Sequence, residues 1–153
     1  MISLNFKFLI MKKKLIFQIV IILILIQFIS PEKNDSKNVV NDYTTQLQVP
    51  NEVKEIIKTS CADCHSNATN YPWYSKIAPI SWYLINHVNG ARKKMNFSTW
   101  NLYDSEKRAD MKKECWEEAH EGDMPLGSYL RFHPEAALSE QDILTLQSWA
   151  KGD

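Results

Sequence analysis

Cys61-Ala62-Asp63-Cys64-His65 sets two thiols and an imidazole within five residues, and no other run constrains the chain as much. Three cysteines in 153 residues are too few for a disulfide-stapled scaffold, so the pair reads as chemistry and not as a crosslink. Thiols three residues apart lie on nearly one side of a helical turn, with the next side chain reaching beneath them. This is the spacing of covalent c-type haem attachment, in which each thiol adds to one vinyl group of the porphyrin and the histidine ligates iron. The expectation is one haem c, held covalently by Cys61 and Cys64, with His65 as axial iron ligand. A zinc-stapled interaction domain is an alternative, with Cys115 as fourth ligand, but adjacent Cys64 and His65 do not easily share one tetrahedron. A thioredoxin-like redox pair would want a βαβ context that the sequence lacks.

Iron held by His65 has a second face. Met124 is the favoured ligand for it, because Gly122-Asp123-Met124-Pro125-Leu126-Gly127 is a loop stiffened by proline, with glycines that permit close approach to a porphyrin. His87 is the alternative, although a histidine on a helix face beside Tyr83, Leu84 and Val88 is ordinarily a core residue. His120 and His133 fit a helix end and a turn, and Met95, Met111 and Cys115 fit packing. His/Met ligation raises the reduction potential and suits single-electron transfer, whereas a labile sixth ligand would suit a peroxidase or gas sensor. The chain therefore reads as an electron carrier more than as a catalyst. Arg92, Lys93 and Lys94 could neutralise haem propionates, but a solvated cationic helix end is the simpler reading.

The compartment follows from the leader. Residues 15–29 read LIFQIVIILILIQFI directly after Lys12, Lys13 and Lys14, which is the pattern of an export signal whose cationic side stays in the cytoplasm. Translation could begin at Met1 or at Met11. Small residues for a cleavage site are missing, since no alanine precedes Ala62 and no glycine precedes Gly90, so residues 1–30 read as a signal anchor, with a cleaved signal peptide as the alternative. Residues 31–49 are polar and aperiodic, a flexible linker, and residues 50–153 form the domain. That domain would face the periplasm from the inner membrane, touching lipid through the leader and redox proteins through its surface. Lys7 and Lys12 to Lys14 are four of the 18 basic residues and all 18 acids follow Pro31, so the remainder is 14 basic against 18 acidic, a net −4 that argues against nucleic acid.

Periodicity gives an all-α fold, a small cytochrome c-like domain of about four helices with aromatic loops around one haem. The first helix covers 50–60 and delivers Cys61. A second covers 79–94 with Ile80, Tyr83, Leu84, His87 and Val88 on one face. A third covers 104–120, N-capped by Asp104, with Ala109, Trp116 and Ala119 inward. The fourth starts at Ser139 with Asp142 as an approximate capping box. All five tryptophans follow the leader, and together they suit a cavity wall.

These residues resemble the small exported haem-binding domain family of c-type cytochrome character. Beyond Cys61 to His65, the resemblance rests on Asn70-Tyr71-Pro72-Trp73-Tyr74, Ile77-Ala78-Pro79-Ile80-Ser81-Trp82, His87-Val88, Asn96-Phe97-Ser98, Met124-Pro125-Leu126 and His133-Pro134, and covers roughly 50–150. It implies covalent haem on Cys61 and Cys64 with His65 as axial ligand, and is compatible with Met124 as the second. One departure is Ala91, where the family places a glycine before the basic residue; Gly90 stands one position early.

Overall fold

The computed structural model describes residues 2–33, 36, 42–45 and 48–152, and these are helical with no strand among them. The chain divides into two compact units, Met1–Lys33 with Pro72–Asn86, and Asn34–Tyr71 with His87–Asp153.

In the first unit the leader forms α1 (Ile2–Leu25), followed by a 3₁₀ turn at Ile26–Phe28. Its four lysines, Lys7 and Lys12 to Lys14, fall inside the helix, and within it they are followed by eleven residues of the apolar run, ending at Leu25; no helix among the described residues is long and apolar enough to cross a membrane. A 3₁₀ turn at Trp73–Lys76 and the first half of α4 (Ile80–Lys94) complete the unit. Gln27 joins these parts. Its Nε2 donates to the carbonyls of Leu23 (2.8 Å) and Ala78 (3.1 Å), and its Oε1 accepts from the Ala78 amide (2.9 Å).

The second unit holds the motif. After Pro50, α2 (Asn51–Ile56) widens into a π-helical turn at Ile57–Cys61 and tightens again into α3 (Ala62–His65). Such widened turns re-aim the side chains that follow them. Asp104 caps α5 (Ser105–Glu121) by accepting from the Lys107 amide at 2.8 Å, and Gly122 ends it at φ +79°, a conformation that favours glycine. A single turn, α6 (Gly127–Leu130), precedes α7 (Glu140–Lys151), whose Ser139 and Asp142 form the full reciprocal capping box. The core gathers Val53, Ile56, Ile57, Phe97, Trp100, Met111, Ala119, Leu146 and Trp149, and α5 packs along α7. Trp100 stacks on Trp149 at 5.6 Å between ring centroids. Each such buried side chain contributes about 1.5–3 kcal/mol by leaving water.

All four expected helices are present, and α3 and α6 are additional single turns too short to leave a periodic signal. Two faces differ from expectation. On α4 the buried positions are Ser81, Ile85, Val88 and Arg92, while Ile80, Tyr83 and His87 are exposed, so the inner face is turned by about one residue. On α5 Met111, Cys115 and Ala119 point inward and Ala109 is exposed. The tryptophans do not act as a set: Trp100 and Trp149 are core, Trp82 and Trp116 are half-buried, and Trp73 is exposed.

Candidate functional site

Cys61 leaves the π-helical turn, and Cys64 and His65 follow on α3; all three are half-buried. The imidazole is oriented from behind. Its Nδ1 lies 3.1 Å from the backbone carbonyl of Met95, an atom that can only accept, so Nδ1 carries the hydrogen and Nε2 keeps its lone pair. Phe97 packs edge-on against the ring at 6.4 Å. Burial, the largest influence, lowers the histidine's pKa, which keeps the ring neutral near pH 7 as a metal ligand must be.

Asp63, the acid between the cysteines, organises the loop that follows. Its carbonyl accepts from Thr69 Oγ1 (2.7 Å), one carboxylate oxygen accepts from the Asn70 amide (3.1 Å), and the other accepts from the Tyr129 hydroxyl (2.8 Å). Tyr129 belongs to α6, so the segment after the Met124 loop is tied directly to the Cys61–His65 turn. Farther along, Asn67 is held by the Ser98 hydroxyl (3.0 Å), which itself donates to Asp42 (2.9 Å).

Arg92 closes this loop from α4. It is only 8% exposed; Nε donates to the Ser66 carbonyl at 2.6 Å and Nη2 donates to Thr69 Oγ1, while Nη1 is buried with no hydrogen-bond partner among the described residues. The solvated helix end expected for the basic cluster therefore describes Lys93 and Lys94, which are exposed, and not Arg92. Periodicity misses it because the carbonyl and hydroxyl that draw the guanidinium inward come from a loop more than twenty positions away.

The two residues considered for the second iron face are placed differently from Arg92. Met124 follows the end of α5, with its amide donating to the Glu118 carbonyl at 3.1 Å and its side chain 37% exposed. His87 is exposed on α4, off the inner face that Val88 shares. His120 stacks on Trp116 at the exposed end of α5, His133 stacks on Tyr129 and lies 3.2 Å from Glu135, and Cys115 Sγ lies 3.4 Å from Met95 Sδ in the packing role expected for both. Among the described residues no three His, Cys, Asp or Glu side chains gather as a metal cage, so the zinc alternative gains no support.

The sequence profile of the haem-binding domain family matches residues 21–152, most of the chain. The chain belongs to the haem-binding domain family. No curated protein and no solved structure matches it.

Haem would bring a metal and carboxylates, and this chain offers one donor for the metal and one for a carboxylate. His65 offers Nε2, and the orphaned Nη1 of Arg92 is a buried cationic donor of the kind a carboxylate satisfies. The cysteines of this haem-binding domain are held as thiols: burial chiefly, and then Cys64, pushes Cys61 up to about 12, while burial and Asp63 push Cys64 up to about 11 against the pull of Arg92. Both are thus disfavoured as thiolates at neutral pH. The orienting carbonyl of Met95 and the Asp63–Tyr129 bond are the elements that sequence reasoning missed, since every residue has a carbonyl and nothing local pairs positions 66 apart.

Proposed function

We propose that this haem-binding domain is a mono-haem c-type cytochrome that carries single electrons between redox partner proteins outside the cytoplasm. The observation that carries the reading is the bond from His65 Nδ1 to the Met95 carbonyl, which fixes the tautomer and presents Nε2 one residue beyond a cysteine pair of attachment spacing. When bound, haem supplies a one-electron iron couple that no side chain here could supply. Cys61 and Cys64 would hold it as thioethers and His65 would take the axial position. Arg92 would hold a propionate, satisfying Nη1. Met124 would take the sixth position, its soft thioether raising the potential, with His87 as the alternative. With its Nδ1 hydrogen held by the Met95 carbonyl, His65 would keep that proton in either oxidation state of a bound iron, which suits transfer of electrons alone. Residues 1–30 would anchor the domain on the periplasmic side of the inner membrane, Lys12, Lys13 and Lys14 remaining on the cytoplasmic side.

The test is expression with export and haem-ligation machinery. The full chain should carry haem through denaturing electrophoresis, and Cys61→Ala with Cys64→Ala should abolish that retention; a chain that emerges with its bare mass refutes covalent attachment. In the oxidised protein Met124→Ala should remove the far-red methionine-to-iron band. If His87→Ala removes the native sixth-ligand signature instead, iron is ligated by two histidines; if neither does, the position is labile and the domain is a sensor or peroxidase.

A further inference from the structure

We propose that residues 72–83 form a collar that rests on the headgroup and glycerol layer of the phospholipid bilayer entered by the leader; this builds on the reading of that leader as a retained anchor. The collar and the end of the leader are one structure. Gln27 spends both ends of its amide on the backbone of Ala78, Trp82 Nε1 donates to the Ile29 carbonyl at 2.6 Å, and Lys33 Nζ donates to Ser75 Oγ at 3.1 Å. A glutamine inside an apolar run is costly in lipid unless its polar atoms are satisfied, and here they are. The family's profile itself begins at residue 21, inside the apolar run, so the end of the leader is part of what that profile describes.

What this segment shows to its surroundings is amphipathic and aromatic. Trp73 is 74% exposed, Tyr83 59%, Ile80 52% and Ile77 42%, and Phe28 at the end of the leader is exposed as well. Lys76 is the single charged residue in positions 72–86 and is exposed. A water-facing loop normally carries several charges of both signs, whereas tryptophan, tyrosine and a lone lysine match the interface between acyl chains and phosphates. The hydrogen bonds to Gln27 and Ile29 hold that surface where the apolar run ends, which is where a bilayer of matching depth would have its headgroups.

The experiment uses the full haem-loaded chain in vesicles of phosphatidylethanolamine and phosphatidylglycerol containing a phospholipid with a diazirine near the glycerol. After irradiation, lipid adducts are mapped by peptide mass. Adducts are expected in the leader and in residues 72–86, the latter labelled about fivefold or more above residues 105–121, which carry many charges. Trp73→Glu should abolish labelling of residues 72–86 while leaving the leader's labelling and the haem spectrum unchanged. Adducts confined to the leader, or undiminished labelling in Trp73→Glu, overturn the collar while leaving the anchor standing. An intact mass lacking residues 1–30 overturns the anchor and the collar together.

Discussion

The hydroxyl of Tyr129 donates to a carboxylate that also takes the Asn70 amide, so Asp63 works as a brace although it lies between Cys61 and Cys64. Tyr129→Phe removes a bond to a charged acceptor and should cost about 1–2 kcal/mol in urea unfolding of the domain. Burial first, then Asp63, holds the phenol's pKa far above its ordinary value near 10. The unfolded chain therefore releases this proton above about pH 10 while the folded chain keeps it, so the bond's stabilisation is present below that pH and drains away as pH rises. Unfolding at a series of alkaline pH values should show a shallower loss for Tyr129→Phe than for the native chain; an equally steep loss means the phenol is not the group responsible. Arg92 permits a second test. Removing its charge with Arg92→Gln should lower the haem reduction potential by on the order of 50 mV, because a nearby cation favours the reduced, less positive state. Redox titration checks both sign and size, and an unchanged potential would separate Arg92 from the haem. That Cys61, Cys64 and His65 lie together at one helical turn is legible from spacing alone. Arg92 is not, since its burial is decided by Ser66 and Thr69 in another segment.

Helix ends are where sequence and structure agree best, because capping is local. Asp104 and Ser139 both accept the amide bonds that their position before an acidic first turn implies. Ser139→Ala should cost about 1 kcal/mol, read as a lowered urea midpoint with an unchanged slope. Helix faces are less legible. On α4 the polar Ser81 and Arg92 occupy inner positions while Ile80 and Tyr83 are exposed, so hydropathy points about 100° away from the true inner face. The same inversion is the physical signature of the proposed collar: apolar side chains turned outward on an element whose polar atoms are satisfied inward read as buried to any periodicity argument. The single turns α3 and α6 are set by contacts to the rest of the fold, Tyr129 with Asp63 above all, and four residues carry no period.

At the scale of the molecule, the domain's stability and its site share Phe97 and Met95 and otherwise rest on different residues, which makes them largely separable. The core is built on Trp100, Trp149, Phe97 and the aliphatic face of α2, whereas the motif is braced by Asp63, Arg92 and the Met95 carbonyl. Trp149 is 3% exposed, stacks on Trp100, and buries an indole N–H that has no hydrogen-bond partner among the described residues. That orphaned donor already costs the folded state, so its removal offsets part of any packing loss. Trp149→Phe keeps an aromatic ring without the N–H and should change stability by no more than about 1 kcal/mol, while Trp149→Ala leaves a cavity and should cost about 3–5 kcal/mol. Against a total of about 5–15 kcal/mol, the alanine variant is left marginal. In both variants the absorption spectrum of whatever folds should match the native one, because Trp149 reaches His65 only through Trp100 and Phe97, while the histidine is oriented by its bond to the Met95 carbonyl. A spectrum that shifts with Trp149→Phe would mean that the core and the haem seat are mechanically coupled and that the separation of roles is wrong.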